Sequence, residues 1–275
     1  MSIIRSFPGK PLVQQGDQMS PEPFRTFHYH ACAHAFSGSF TRPFSETIDV
    51  QAASALPIIG GHGMARIDKF QFREFISFRK GYTHVSGARQ DDDHSHNTLV
   101  TSTVEGLNLF DVVTADRIVA RLYSKHLSGE PEGFITMVGS KFENLRIAGC
   151  KTDIKLNVEL FEEMPTFTRA REEFAKNGEF RKIAEDPLHT SQKLTKVEPN
   201  GVILCSCVEE MKTDCPGVTR VGHCFSVPGF GKIFLGEVVI RHGERTLTMV
   251  RLEMGSAVDG TGSGIQAMVN GRTYP

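Results

Sequence analysis

The stretch FHYHACAHA, residues 27–35, sets His28, His30, Cys32 and His34 on every second position and fills the gaps with Phe27, Tyr29, Ala31, Ala33 and Ala35. Period two is the spacing of an extended strand, whose successive side chains point to opposite faces. Read so, the rings and methyls of residues 27–35 turn to a core, and the imidazoles and the thiol turn away from it. The stretch therefore predicts a half-buried β-strand.

The same period recurs outward from it. ETIDVQA (46–52) alternates Thr47, Asp49 and Gln51 with Ile48 and Val50, and DRIVARLYSK (116–125) sets Arg117, Val119, Arg121, Tyr123 and Lys125 against Ile118, Ala120, Leu122 and Ser124. DIKLNVEL (153–160) puts Ile154, Leu156, Val158 and Leu160 on one side of a predicted strand. In KFQFREFISFRK (69–80) the phase slips, because Phe70 and Phe72 are out of step with Phe75, which predicts a bulge near Arg73 and Glu74. Hairpin turns are predicted at Asn200-Gly201, between KLTKVEP (193–199) and VILCSCVEE (202–210), and at RHGER (241–245), between KIFLGEVVI and TLTMVRLEM. One passage has helical spacing: MPTFTRAREEFAKNGEFRKIAED, where Thr166 or Thr168 caps a helix with Phe167, Ala170 and Phe174 on one face. Asn177-Gly178 ends that helix and leaves a second turn around Phe180 to Ala184. The predicted fold is mainly β, an antiparallel sandwich or partly open barrel of about a dozen strands with one short helical insert at 165–186. Residues 1–23, with Pro8, Pro11, Pro21 and Pro23, read as a flexible tail, and 24–275 as a single domain.

TSTVEGLNLFDVVTADRIVA (101–120), SKFENLRIAG (140–149), SVPGFGKIFLGEVVI (226–240) and TLTMVRLEMGSA (246–257) run in an order that resembles bacterial proteins called choice-of-anchor P. The resemblance covers roughly residues 97–160 and 226–268, with the helical passage as an insertion. It implies an all-β layout and offers no catalytic residues to carry over. Members of that family are mostly secreted, and the His-rich first strand here departs from their pattern.

Composition narrows the function. Lys and Arg number 31 against 32 Asp and Glu, a formal charge of −1, which lacks the net basic face that nucleic acid requires. No apolar run approaches the ~20 residues of a membrane span. The N-terminal sequence lacks the apolar centre of a secretion signal, so the expected compartment is the cytoplasm, with all six cysteines as free thiols.

Two readings of the histidine row follow. Neighbours at i and i+2 on a strand are ~6.6 Å apart, so His28 with His30, or Cys32 with His34, can pinch one ion, whereas i and i+6, ~20 Å apart, cannot. Further ligands would come from DDDHSH, Asp91 to His96, where His94 and His96 repeat the spacing beside three carboxylates; zinc, nickel or copper suits that mixture. The simpler reading makes the histidines the outer face of a sheet and DDDHSHN a solvated loop. CSCVEEMKTDC (205–215) with VGHC (221–224) lacks the close cysteine pairs of a zinc knuckle, and its thiols read as buried. Glu162 and Glu163, adjacent on a predicted strand, would face opposite ways. No G-x-S-x-G elbow is present, and the glycine-rich GSAVDGTGSG (255–264) reads as a flexible loop rather than a phosphate cradle.

The functional expectation is a non-enzymatic protein that binds a peptide or protein partner along a β-sheet surface, with an accessory role in a bacterial biosynthetic pathway as its setting. Arg169, Arg171, Phe174 and Phe180 of the helical insert would form a wall or lid. The rival is a metal-dependent enzyme on His28, His30 and the Asp91–His96 loop. A third reading is a structural homo-oligomer, a homodimer whose histidine face is buried between subunits.

Overall fold

The computed structural model describes residues 26–185, 196–255 and 258–274; the Pro-rich segment 1–23 lies outside them. In chain order come β1 (Thr26–Arg42), β2 (Glu46–Gln51), β3 (Ser54–Ala55), β4 (Gly61–Phe72), β5 (Ile76–Arg89), β6 (His96–Leu109) and β7 (Val113–His126). Short strands follow: β8 (Phe134–Thr136), β9 (Lys141–Glu143), β10 (Arg146–Ile147), β11 (Cys150–Lys151) and β12 (Asp153–Leu156). Three helices come next, α1 (Val158–Glu163), α2 (Phe167–Lys176) and α3 (Gly178–Glu185). The chain then adds β13 (Ile203–Ser206), β14 (Val208–Lys212), β15 (Thr219–Val221), β16 (Cys224–Val227), β17 (Gly231–Arg241), β18 (Glu244–Gly255) and β19 (Asp259–Tyr274).

One antiparallel sheet runs β15-β16-β17-β18-β19-β1-β2, with β13 also paired to β17 and β3 to β1. The second runs β11-β10-β7-β6-β5-β4, with β8 and β9 laid along β7. β1 and β19 lie across β5, β6 and β7, and neither sheet closes on itself among the described residues, so the architecture is a sandwich. No helix among them is long and apolar enough to cross a membrane.

β1 is extended as its alternation predicts. Phe27, Tyr29, Ala31, Ala33 and Ala35 are buried, while His28, His30, Cys32 and His34 take the other face. Small residues at the centre let the sheets approach: a Cβ on Gly81 would stand 2.9 Å from that of Ala35. Each sheet turns a single layer of apolar side chains inward, including Val85, Val100, Leu122, Leu247 and Val269, all at or near full burial.

The central strands of this sandwich are far longer than the usual five or six residues, and each sheet has a level at which several adjacent strands break phase together to keep facing the core. In the β1 sheet the pairing passes from Leu235↔Val250 to Glu237↔Thr248 and from His34↔Gln266 to Phe36↔Gly264, skipping Gly236, Met249, Ile265 and Ala35 on one level. Gly236 (φ 61) and Ile265 (φ 56) are left-handed there. Inward positions change parity across the level: Leu247 and Met249 give way to Val250 and Leu252. The second sheet repeats the device at Lys69 (φ 56), Arg79, Gly106 (φ 63) and Asp116. A left-handed residue re-aims the side chains that follow, as a bulge does. Carbonyls beside the break in the β1 sheet find hydroxyl donors: Ser102 donates to His34 O (2.8 Å) and Ser206 to Leu235 O (3.1 Å), and in the turn after β2 Ala52 O accepts from Thr83 (2.8 Å).

Several sequence expectations are corrected. The phase slip in 69–80 is at Lys69 and Arg79; Arg73 (φ 51) and Glu74 belong to the β4–β5 hairpin turn, closed by Phe75 N donating to Phe72 O. DIKLNVEL is not one strand, because Asn157 accepts a bond from Leu160 N (3.0 Å) and starts α1, carrying Glu162 and Glu163 onto a helix. The helical insert thus begins at Val158 and has three helices. Asn200-Gly201 forms a turn, but Lys196–Glu198 are not a strand, and residues 193–195 lie outside those described. GTGSG is the start of β19, where Gly262 and Gly264 leave room for the Phe36 ring. Cys150 and Cys215 are not free: they form a disulfide between the β10–β11 hairpin and the loop after β14, Cα atoms 5.5 Å apart across 65 residues of chain. Spacing in sequence carries no trace of that approach. Cys32, Cys205, Cys207 and Cys224 are free thiols.

The insert is a packing element. Phe161, Phe167, Ala170, Phe174 and Phe180 join the core. Glu132 accepts bonds from Phe167 N (2.8 Å), Thr168 N (3.1 Å) and the Thr168 hydroxyl at the start of α2. Arg245 of β18, fully buried beneath it, donates to Ile135 O (2.8 Å) and Met164 O, and burial brings its guanidinium down to about 10.

Candidate functional site

Backbone pairing defines the first candidate. β4 has twelve residues and, among the described residues, pairs with β5 alone. Every other strand that ends or branches from a sheet is six residues or shorter, β2 being the longest. Regular pairing runs from Gly61 to Asp68, before the left-handed Lys69 turns the edge. This run contains no proline, and its one charged pair, Arg66 with Asp68 (2.9 Å), is on the outer face. Met64 is 73% exposed, and Ile58 and Ile59, in the turn that leads into β4, are 47% and 84% exposed. An apolar-flanked open edge presents unpaired backbone N–H and C=O groups that another strand can use.

The second candidate is a row of polar side chains on the outer face of the β1 sheet, on the level next to the phase break. Ser206, Glu237, Thr248, Gln266 and His34 stand opposite one another across β13, β17, β18, β19 and β1. Glu237 is buried, accepts from Arg251 at Nη2 (2.9 Å) and Nε, and has His223 Nε2 at 3.5 Å. Arg251 also covers the Phe234 ring at 3.7 Å. Burial alone would raise the Glu237 carboxyl, but the bonds from Arg251 and His223 outweigh it and hold the group below its ordinary value. Gln266 Nε2 donates to the Thr248 hydroxyl (3.1 Å), and Ser206 is bonded on both sides, to Leu235 O and from Val208 N. A cleft of about 150 Å³ borders His223, Arg220 and Ser206. Arg251 locks the carboxylate and holds it ionised, so the part of the row around Glu237 has the character of a tied structural network, whereas His34 Nε2 at its end is buried without a hydrogen-bond partner among the described residues.

The sequence-predicted residues part company. His28, His30, Cys32 and His34 share the outer face of β1, while His96 stacks on Phe27 (4.1 Å between ring centres) and has Nδ1 2.8 Å from the Tyr29 hydroxyl, on the inner face. His94 is exposed beside Arg89 Nη2 (3.3 Å). Among the described residues no group of three or more His, Cys, Asp and Glu side chains is placed to share a metal ion. Burial lowers His34, His96 and His126 from their ordinary values. Phe174 and Phe180 meet edge to face (6.4 Å) inside the insert, whereas Arg169 pairs outside with Glu172 and Glu173 and Arg171 is half-buried. The four therefore do not share one surface.

Sequence reading passed over Glu237, Arg245 and Arg251. The signal was available for the first, as the one acidic residue in the otherwise apolar run IFLGEVVI. β4 was passed over for a different reason, since an edge is a property of sheet order.

A family model described as Domain of unknown function (DUF8256) matches residues 27–241. No curated protein and no solved structure matches the chain.

Proposed function

The chain belongs to that family, DUF8256, and we propose that it is a binding protein that accepts an extended segment of a peptide or protein partner as an added strand along β4. The observation that carries this reading is the contrast among edges: among the described residues, twelve are open at β4 against six or fewer at every other edge strand. Strand addition supplies affinity through main-chain bonds and selectivity through alternate side chains. Gly63, Ala65 and Ile67, half-buried along β4, offer an apolar lane on one side, and Met64 with the Arg66–Asp68 pair offers a mixed one on the other. The partner segment would alternate apolar and polar residues over about eight positions.

The test is a display selection for extended peptides followed by amide exchange on the complex. Binding should slow exchange at residues 61–68 and should be lost when alternate peptide nitrogens are methylated or when Ala65→Pro is introduced. A selected peptide that leaves the β4 amides exchanging as before would reject strand addition. Protection of the same amides in a peptide-free dimer would replace the partner with a second copy of the chain.

A further inference from the structure

The outer face of the second sheet holds an open trough of about 460 Å³ over β5, β6, β7 and the turn into β9, lined by Tyr82, Thr101, Thr103, Arg117, Arg121 and Lys141 among others. We propose that this trough binds a phosphate or sulfate ester carried by a sugar-sized molecule, with Arg121 as its principal cation. The proposal is independent of the β4 edge.

The first support is charge. Cross-strand register places Arg117 between Glu105 and Glu143, and Lys141 beside Val119. Those two carboxylates already have partners: Glu105 pairs with Arg79 (3.5 Å) and Glu143 with Lys141 (2.5 Å). Arg117 instead donates to the Tyr82 hydroxyl (2.9 Å). Arg121 makes no ion pair among the described residues and lies 3.5 Å from the Thr101 hydroxyl that faces it across the strands. The chain as a whole carries −1, so cations in excess at one concave place are a local property of this face.

The second support is unspent bonding capacity. Thr103 is 1% exposed, lines the trough, and its Oγ1 has no hydrogen-bond partner among the described residues; Arg117 Nε is equally buried and equally without one. Buried polar groups in folded proteins are nearly always paired, so an orphan hydroxyl and an orphan guanidinium nitrogen lining the same trough mark a place where a ligand oxygen belongs. With Arg121, Thr101 and Tyr82, the donors outnumber what a two-oxygen carboxylate can accept and suit a tetrahedral oxyanion.

The third support is a built cradle. Ser140 accepts from Arg121 N (2.9 Å) and donates to Arg121 O (3.1 Å), fixing the turn against β7. In that turn Gly139 has φ 89, and a Cβ there would stand 3.2 Å from Arg121 Cδ and from its guanidinium. The missing side chain is what lets Arg121 lie over the turn.

The test uses the full chain at constant ionic strength in chloride, titrated by calorimetry with inorganic phosphate, inorganic sulfate, acetate, glucose 6-phosphate and glucose 6-sulfate. The tetrahedral ions should bind, acetate should not, and each ester should bind more tightly than its free ion. A preference for the phosphate or for the sulfate arm identifies the ester, and either supports the site. Arg121→Gln, an exposed change that leaves folding intact, should weaken the ester about tenfold or more. Thr103→Val should also weaken it without lowering the melting temperature, a combination that a merely structural threonine would not give. Absence of binding by all five, equal binding of acetate, or unchanged ester affinity in Arg121→Gln would overturn the proposal.

Discussion

The two sheets of the sandwich share one device and use it differently. Both have a level at which several adjacent strands break phase together, and both carry polar side chains on the outer face beside that level. In the β1 sheet most of these groups are tied to one another: Arg251 and His223 hold Glu237, Gln266 holds Thr248, and Ser206 bridges two backbone groups, while His34 Nε2 at the end of the row has no hydrogen-bond partner among the described residues. In the second sheet Thr103 Oγ1 and Arg117 Nε are left without partners, and Arg121 without an ion pair, among the described residues. The contrast separates polar residues that hold a fold from polar residues that are held ready by it. An internally satisfied network lowers the free energy of the folded chain, whereas an unsatisfied buried group raises it and persists where something outside the chain completes it.

The largest effect should come from breaking the tied sheet. Glu237→Ala leaves Arg251 and His223 facing a buried vacancy, and should cost about 3 kcal/mol, the low end for a broken buried pair because Arg251 still touches solvent. Denaturant unfolding measures it; a loss below about 1 kcal/mol would mean the cluster is not a structural tie. Next comes a matched pair of hydroxyl deletions. Ser206→Ala strands Leu235 O and Val208 N and should destabilise by about 1–2 kcal/mol, whereas Thr103→Val removes an orphan and should be neutral or stabilising by up to about 1 kcal/mol. Equal destabilisation by both would erase the distinction between the sheets.

The smallest effect is the pH dependence. Burial lowers His34, His96 and His126, so below about pH 6.5 the unfolded chain binds more protons than the folded one, and stability should fall as pH drops through that value. Glu237, held below its ordinary value against the effect of burial, adds a further loss as pH falls through the carboxylate range. Urea midpoints from pH 8 to 4 should decline, and His34→Gln should flatten the upper part of the curve. A midpoint that rises on acidification would contradict the burial of these imidazoles.

Much of the fold was legible because it is periodic. The alternation in residues 27–35, the Arg117-to-Lys125 row and the RHGER turn all have their predicted form, since a pleated backbone imposes period two locally. The errors fell where one residue changes the course of the chain. Asn157 starts a helix inside an apparent strand, and Lys69 and Gly106 reverse side-chain phase without leaving the sheet. Of the candidate site, the shared side of Arg117 and Arg121 on their strand was legible, but that this side is the outer one and that it converges with Tyr82 and Thr103 needed the order of β5, β6 and β7.

Sequence alone determined that stretches such as 27–35 and 117–125 are extended and which of their side chains turn inward, because a regular alternation depends on bonds between neighbours along the chain. Tertiary structure decided that β4 is an edge, that Cys150 meets Cys215, that His96 lies across β1 from His30, and that Thr103 is buried without a partner. Each of these depends on which distant segment arrives alongside, and the pairing of distant segments is settled by the packing of the whole core rather than by any local pattern.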